Sequence, residues 1–340
     1  MRHGQKLTSH SSNMQSIHKA AGISVVIVVW NAKRYVLECL DSLQKYCGNI
    51  CTEVIVVDNA STDGTPELVA LLYPDFKLIR NPENYGFAKA NNIGILQSSG
   101  DYICLVNSDV VFTDDCISTL TKHLADNPEI AMVGPKMLST DGTVRRSTMR
   151  FPTIWNSFSR ALGLDLIFPR SSLWGGLLMA DFDHQRTMPV EVLNGWFVVV
   201  RRQAIEEVGL LDTRFFMYGE DIDLCYRIRK AGYGIVFFAD AAAIHYGGSS
   251  SASAPVRFNT EMLRANLQYW RKHHGWLSQQ LFLVSLEVFY LGRVLGLTLS
   301  YLCMPAHRLN LDSKLKRSVA GLRWTAHAIS GREDPCQAPI

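Results

Sequence analysis

The segment Ile103-Cys-Leu-Val-Asn-Ser-Asp109-Val-Val runs an apolar strand into a short polar end with a single carboxylate, Asp109. In an α/β protein, ligands bind at the carboxyl ends of strands. One carboxylate there suits a hard divalent ion that takes its other ligands from water and phosphate. Asn107, Ser108 and Asp109 therefore point to metal-assisted chemistry on a phosphorylated substrate.

Four further constellations can serve that chemistry. Val29-Trp30-Asn31 ends one apolar run, and Val57-Asp58-Asn59-Ala-Ser-Thr-Asp63-Gly-Thr65 ends the next. Asp58 is placed to accept hydrogen bonds from a base or a ribose, while Asp63 and Thr65 suit either a ligand or the cap of the following helix. In Asn84-Tyr-Gly86-Phe-Ala, a glycine opens a helix and leaves N–H groups free to approach a phosphate. Phe215-Phe-Met-Tyr-Gly-Glu220-Asp221-Ile-Asp223 places three acids within four residues at a helix start. The helix dipole alone favours acids there, but an aromatic-Gly loop before them suggests that Glu220 and Asp221 face a cleft. Asp221 is the candidate base for an acceptor hydroxyl. Asp223 and Arg227 are spaced to pair at i,i+4. Finally, His245 follows an apolar strand and precedes Tyr-Gly-Gly-Ser, a flexible segment that lets it ligate a metal or serve structure alone.

The elements that must hold these residues alternate from Ile23 to about Val133. Strands are expected at 24–30, 53–58, 77–80 and 101–107, and helices at 35–46, 65–72, 86–98 and 114–125. The first two strands are continuous β-branched runs, as expected of strands buried on both faces. Pro66 suits the first turn of its helix. The β-α-β-α pattern predicts a mostly parallel sheet with helices on both faces. Residues 140–190 read as loop-rich. A strand follows at 190–201, a helix at 203–209, a helix at 221–231, a strand at 234–238 and an aromatic-bearing amphipathic helix at 261–274.

Composition sets the limits. The chain has 340 residues, 47% of them hydrophobic, enough for a substantial core. A net charge of +3 is too small to suggest nucleic-acid binding. From Leu281 onward seven Lys/Arg face four acids, an excess equal to the whole chain's net charge. The eight cysteines follow no metal-site spacing and read as reduced, buried residues of a cytosolic protein. Residues 1–21 are polar, without a secretory signal, and read as a disordered leader. Leu281–Met304 is strongly apolar but carries Glu287 and Arg293. Each charge costs about 2.5–3.5 kcal/mol at a bilayer midplane. With basic residues behind it, this segment suits an in-plane membrane contact, or else a packed core or subunit interface.

Taken together, Ser24-Val-Val-Ile-Val-Val-Trp-Asn31, Val56-Val-Asp58-Asn59-Ala-Ser-Thr-Asp63-Gly-Thr, Asn84-Tyr-Gly-Phe-Ala, Asn107-Ser-Asp109, Gly219-Glu-Asp221 and His245 resemble the family 2 glycosyltransferases. The chain looks most like the bacterial rhamnosyltransferases of that family, and Gly134-Pro-Lys-Met, Asp141-Gly and Asn194-Gly-Trp-Phe-Val-Val-Val-Arg-Arg suit that subgroup. The resemblance implies a GT-A fold: a Rossmann-like, mostly parallel sheet with flanking helices, followed here by a C-terminal helical extension. The expected division is a catalytic domain over 22–255, with a nucleotide-sugar half to 133 and an acceptor half beyond, then a helical region over 256–340. It further implies an inverting transfer from a nucleotide-diphosphate sugar to a glycan or lipid-linked acceptor in cell-surface polysaccharide assembly. Mg2+ or Mn2+ would sit on Asp109 and His245, and Asp221 would be the base, assisted by Glu220.

By the same resemblance, Val29, Trp30, Asn31, Asp58, Asn59, Asn84, Gly86, Asn107 and Ser108 would line the donor, and Trp196 and Glu220 the acceptor. Trp196 suits either a sugar platform or a core tryptophan. The family's metal motif often reads Asp-x-Asp; Asn107 removes its first charge. L-rhamnose from dTDP-rhamnose is the favoured donor, with a UDP-hexose or UDP-N-acetylhexosamine as the alternative. The implied location is the cytoplasmic face of the inner membrane, with peripheral contact, and self-association through the C-terminal helices is compatible with it. A sugar nucleotidyltransferase would want a glycine-rich phosphate loop, and Ile23–Lys33 contains no glycine. A binding module would not need Asp109 together with Glu220 and Asp221. Gln268-Tyr-Trp-Arg271 lacks the Gln-x-x-Arg-Trp order of a processive synthase.

Overall fold

A computed structural model describes residues 22–51, 53–247, 254–303 and 308–331. The anticipated leader, residues 1–21, lies outside them, as does most of the Gly-Gly-Ser segment after His245. In chain order the first half contains β1 (Ile23–Val29), α1 (Lys33–Cys47), β2 (Glu53–Asp58), α2 (Thr65–Leu72), β3 (Lys77–Arg80), α3 (Gly86–Leu96), β4 (Tyr102–Asn107), β5 (Val110–Phe112), α4 (Cys116–Asp126) and β6 (Ile130–Leu138). The second half contains β7 (Val144–Arg145), β8 (Thr148–Met149), α5 (Ile154–Ala161), α6 (Leu164–Ile167), β9 (Met188–Pro189), β10 (Val192–Leu193), β11 (Phe197–Arg201), α7 (Arg202–Val208), α8 (Glu220–Lys230) and β12 (Gly234–His245). Three helices follow among the described residues: α9 (Pro255–His273), α10 (Trp276–Cys303) and α11 (Arg308–Ser330).

The main sheet runs in the order β3-β2-β1-β4-β11-β6-β12-β5. β3, β2, β1 and β4 are parallel, β11 is antiparallel to both its neighbours, and β12 is parallel to β6. The carboxyl ends of β1, β2, β4 and β12 therefore share one edge with the start of β11. The chain passes from β3 back across β1 to β4, which makes the β1/β4 junction a topological switch point, where such sheets bind ligands.

Alternation along β1 explains why both faces are covered. Val25, Ile27 and Val29 pack with Leu40 and Leu43 of α1 and Leu120 of α4. Val26 faces the other core, with Ala88 and Ala90 of α3 and Leu224 and Ile228 of α8. Gly94 lets α3 lie against β1: a Cβ there would meet Val26 Cγ1 at 2.4 Å.

Three expectations change. The loop-rich region 140–190 contains α5, which opens on a capping box between Thr153 and Asn156. The strand expected over 190–201 is broken at Asn194-Gly195-Trp196 into β10 and β11. The strand expected to end at Phe238 runs on to His245, because a register shift between Phe238 and Ala242 lets Asp240 stay exposed.

Candidate active site

At the switch point the loops after β1 and β2 are stitched together. Asn31 Oδ1 accepts from the Thr62 N–H at 2.8 Å, and its own N–H donates to Ser61 Oγ at 2.9 Å. Asn31 and Ala60 both take the left-handed conformation, at φ 46° and 64°. Such backbone costs of order 1–3 kcal/mol and concentrates at ligand sites. Asp63 accepts from Lys33 N, Thr65 N and Thr65 Oγ1, so it ties the starts of α1 and α2 together. Asp58 is 2% exposed; Oδ2 accepts from Ser61 N at 3.0 Å, while Oδ1 is buried with no partner. A buried acceptor in that state wants a donor.

Several of the residues expected at the donor also have structural partners. Val29 is packed in the core under α1, and Val28 and Trp30 line the cleft instead, because successive strand residues face opposite sides. Asn59 has no polar capacity left: Nδ2 donates to Asn84 Oδ1 and Gly86 O, and Oδ1 accepts from Asn81 Nδ2 and Tyr85 N. The phosphate cradle expected at Gly86 is not open. Its N–H donates to Asn84 Oδ1 at 2.9 Å, and the next, of Phe87, donates to Phe216 O at 2.6 Å. Gly86 serves close approach: a Cβ there would lie 2.3 Å from Phe216 O. Asn59, Asn84 and Gly86 thus fix the loops that frame the cleft, and bring the 215–219 loop against α3.

Across the edge, β4 and β12 deliver Asp109 and His245. Asp109 Oδ1 lies 3.0 Å from His245 Nε2, and Oδ2 accepts from the Gly247 N–H at 3.0 Å. Burial pushes the Asp109 carboxyl up, but the His245 hydrogen bond and charge and the Gly247 amide outweigh it and hold it below its ordinary range. Trp196 lies against the His245 ring, centroids 5.4 Å apart and planes at 27°. Trp196 is 4% exposed and lines the cavity, where its ring supports His245. Asn107 Nδ2 sits 3.4 Å from His245 Nε2, while its Oδ1 is buried without a partner. One carboxylate oxygen, one imidazole nitrogen and an unpartnered amide oxygen form a donor set that fits a divalent ion drawing further ligands from a diphosphate. Among the described residues no group of three or more His, Cys, Asp or Glu can hold a metal without such help.

The third wall is the start of α8. Tyr218 at φ 67° and Gly219 at φ 81° turn the chain sharply, so that Glu220 and Asp221 begin the helix. Asp221 Oδ2 accepts from the Gly195 N–H at 3.0 Å, and Oδ1 from the Ile222 N–H at 2.8 Å. Burial raises the Asp221 carboxyl above its ordinary range, and these amides only partly offset it. Glu220 is 5% exposed, with Oε2 unpartnered. Burial, then the neighbouring charge of Asp221, pushes it well above the usual carboxylate range. Asp223 faces away, fully buried, with Arg227 at 2.9 Å, Lys272 at 2.6 Å and His273 at 2.7 Å. It locks α8 to α9, as the i,i+4 spacing with Arg227 partly anticipates.

These walls enclose a cavity of about 870 Å3 that holds Trp30, Ser108, Asp109, Glu220, Asp221 and His245 on one side. It continues among α5, α9, α10 and α11, through residues the sequence did not single out.

A mostly parallel sheet whose strand ends carry Asp58 and Asp109, faced across a cleft by Asp221, has the architecture of the GT-A fold of the glycosyltransferases. Residues 24–209, more than half of the chain, match the model of Glycosyl transferase family 2, and the chain belongs to that family. It is similar to the N-acetylglucosaminyl-diphospho-decaprenol L-rhamnosyltransferase of Mycobacterium tuberculosis, at 29% identity over 66% of this chain and 76% of that protein. It is also similar to the low-salt glycan biosynthesis hexosyltransferase Agl10 of Haloferax volcanii, at 25% identity over 66% of each. Among solved structures, a mannosyltransferase from Pyrobaculum calidifontis in complex with GDP-Man and Mn2+ superposes with a TM-score of 0.55 at 16% identity, covering 93% of this chain and 89% of that one. GalNAc-T7 with UDP, GalNAc and Mn2+ gives 0.55 at 14% identity, over 93% and 59%. The enzyme is a glycosyltransferase.

Proposed function

We propose that this enzyme transfers L-rhamnose from dTDP-rhamnose, with inversion, to a sugar hydroxyl of a lipid-linked diphosphate acceptor in cell-surface polysaccharide assembly. The observation that carries the reading is Asp221, held by the Gly195 amide across one cavity from Asp109 and His245. The donor and acceptor class rest on the mycobacterial relative, whose name specifies both rhamnose and a diphospho-decaprenol acceptor.

Each residue then has a task. Asp58 Oδ1 takes a donor N–H or ribose hydroxyl of the nucleoside. Trp30 and Ser108 border the donor. Asp109 and His245 would hold Mg2+ or Mn2+, and the unpartnered Asn107 Oδ1 could add a ligand. That ion supplies charge neutralisation on the diphosphate leaving group. Asp221 accepts the proton of the attacking hydroxyl, and the upward shift that burial gives its carboxyl makes it a stronger base than an exposed aspartate. The Gly195 and Ile222 amides fix its carboxylate orientation. Glu220 is buried beside it, and burial together with the charge of Asp221 raises its carboxyl well above the usual range, which disfavours a second negative charge at the acceptor end. Attack on the face opposite the leaving group inverts the anomeric centre in one displacement.

The apolar α10 supports a peripheral seat on the cytoplasmic face of the inner membrane. It is long and apolar enough to cross a membrane by length and composition, with 22% of its most apolar window buried. Its two charges turn toward α11: Glu287 accepts from Thr325 Oγ1, and Arg293 Nε donates to Ser318 Oγ at 3.3 Å. Phe282, Leu283 and Tyr290 of the same helix are buried in the protein core, which favours a helix lying on the surface over one that crosses it.

The test is a mass-spectrometric transfer assay with a panel of nucleotide sugars and polyprenyl-diphosphate-linked acceptors. Rhamnosyl product from dTDP-rhamnose supports the reading. Product only from UDP-hexose or UDP-N-acetylhexosamine would replace the donor, and no product with any lipid-linked acceptor would remove the acceptor class.

A further inference from the structure

Beyond Asp221 the cavity ends among four helices, each of which contributes one arginine: Arg160 of α5, Arg257 of α9, Arg293 of α10 and Arg317 of α11. Arg160 and Arg293 converge on one ring, their guanidinium carbons 6.0 and 5.4 Å from the Phe289 centroid. Among the described residues, none of the four is within ion-pair distance of a carboxylate. Glu261, the acid lining this part of the cavity, is engaged by Arg264 at 2.7 Å. Glu261 also feels the charge of Arg257, but four guanidinium groups against this one acid, itself paired with Arg264, leave the concave end in positive excess, which raises the local concentration of anions. Guanidinium forks match phosphate oxygens in a bidentate manner.

The elements that carry or adjoin Arg160 and Arg293 also expose apolar residues to solvent. Leu166, Ile167 and Phe168, in and just after α6, are 81%, 65% and 50% exposed, and Leu291 and Leu295 of α10 are 48% and 58% exposed. An anion recognised here carries an apolar tail on one side and a group that reaches Asp221 on the other.

We infer that Arg160, Arg257, Arg293 and Arg317 bind the diphosphate of the lipid-linked acceptor, so that its sugar lies toward Asp221 and its prenyl chain leaves over α6 and α10. This rests on the acceptor class proposed above and adds the residues that select it. Arg160 and Arg293 form the centre of the site, because both lie against Phe289. An acceptor with the same sugar but no diphosphate forgoes these contacts.

The test pairs binding with turnover. Geranyl diphosphate is titrated calorimetrically into the full-length protein and into the R160Q/R293Q double variant, with donor-nucleotide binding measured on both as a check of folding. The expected result is at least a tenfold weaker Kd for geranyl diphosphate and an unchanged nucleotide Kd. In transfer assays the double variant raises KM for a short-chain prenyl-diphosphate sugar at least tenfold and leaves kcat/KM for the alkyl glycoside of the same sugar unchanged. R160K/R293K, which keeps the charge but not the fork, falls between. An unchanged geranyl diphosphate Kd overturns the inference, as does an equal loss with both acceptors. Loss of binding to phosphatidylglycerol vesicles with an unchanged short-chain acceptor KM also overturns it, in favour of a lipid headgroup. Wild-type protein that binds geranyl diphosphate but transfers to no lipid-linked acceptor overturns the acceptor reading and leaves the anion site standing.

Discussion

Gly195 N–H donates to Asp221 Oδ2 at 3.0 Å, joining the break between β10 and β11 to the first turn of α8. The approach needs a glycine or a small shift, since a Cβ on Gly195 would lie 3.3 Å from the Asp221 Cβ. The strand expected through 190–201 is interrupted here, and the interruption frees an amide to aim the carboxylate.

Asp221→Asn therefore keeps this contact surface but cannot accept the hydroxyl proton. Removal of a general base costs about 10²–10⁴ in rate. The expected outcome is kcat reduced by that range with the donor Kd within about twofold. Near-normal kcat would remove Asp221 as the base. Since burial holds the wild-type carboxyl above its ordinary range, kcat/KM should climb with pH along a limb centred above the usual Asp value of about 3.9. That limb should disappear in the variant's residual activity.

Asp109 and His245 give the second prediction. With a single carboxylate in the motif, Asp109→Ala removes the only acid of the donor set. Titration of donor nucleotide with and without Mn2+ should show a metal-dependent gain of at least about tenfold (about 1.4 kcal/mol) in the wild type and none in the variant. His245→Ala should lose part of the gain and also loosen Trp196, read as a red-shifted tryptophan emission. An identical Mn2+ response in all three proteins would count against the site.

Much of this arrangement was legible in the residues. Asp58, Asn107 and Asp109 sit where β-branched strands run out, and periodicity alone locates such ends. Glu220 and Asp221 announce a helix start. Which atom of each residue is engaged in structure was not legible. Val29 and Val28 differ by one position on a strand, and only the register decides which faces the cleft. Asn59 and Gly86 look like ligand-binding residues because turn-formers and phosphate-binders share a composition; their partners, Asn84 and Phe216, are set by tertiary packing. The arginine end of the cavity was not legible at all. Arg160 and Arg317 are separated by most of the second half of the chain, and only the packing of α5, α10 and α11 brings them to one wall.

Glu220 and Asp223 are neighbours with opposite consequences. Glu220 is buried with its folded pKa well above the unfolded value, so its stabilisation is present below about pH 4.3 and is lost as pH rises through the folded value. Thermal melts should thus show wild-type Tm falling more steeply than that of Glu220→Gln as pH rises above that point. Parallel curves would mean the carboxyl ionises as easily folded as unfolded. Asp223→Asn leaves Arg227, Lys272 and His273 facing a neutral group in a fully buried position. Breaking a buried charge network costs about 3–5 kcal/mol. Denaturant unfolding should register that loss at neutral pH; a change below about 1 kcal/mol would place the network in the weak class of surface pairs.

The exposed stripe of α10 carries the last prediction. Val284, Val288, Leu291, Leu295, Leu299 and Leu302 recur every three or four residues and are 38–65% exposed. Truncation after Leu281 is a poor probe, because Phe282, Leu283 and Tyr290 of the same helix belong to the core. Leu299→Glu and Leu302→Glu alter the exposed stripe without touching those side chains. Burying a leucine gives roughly 1.5–3 kcal/mol, so each change should weaken vesicle partitioning about tenfold or more. Flotation with phosphatidylcholine–phosphatidylglycerol vesicles reads this directly, and sedimentation velocity without lipid tests the alternative. The double variant should stay in the soluble fraction while its sedimentation coefficient and its transfer to a short-chain soluble acceptor remain those of the wild type. A wild-type dimer that becomes monomeric in the variant, with flotation unaffected, would assign the stripe to a second copy of the chain instead of the bilayer.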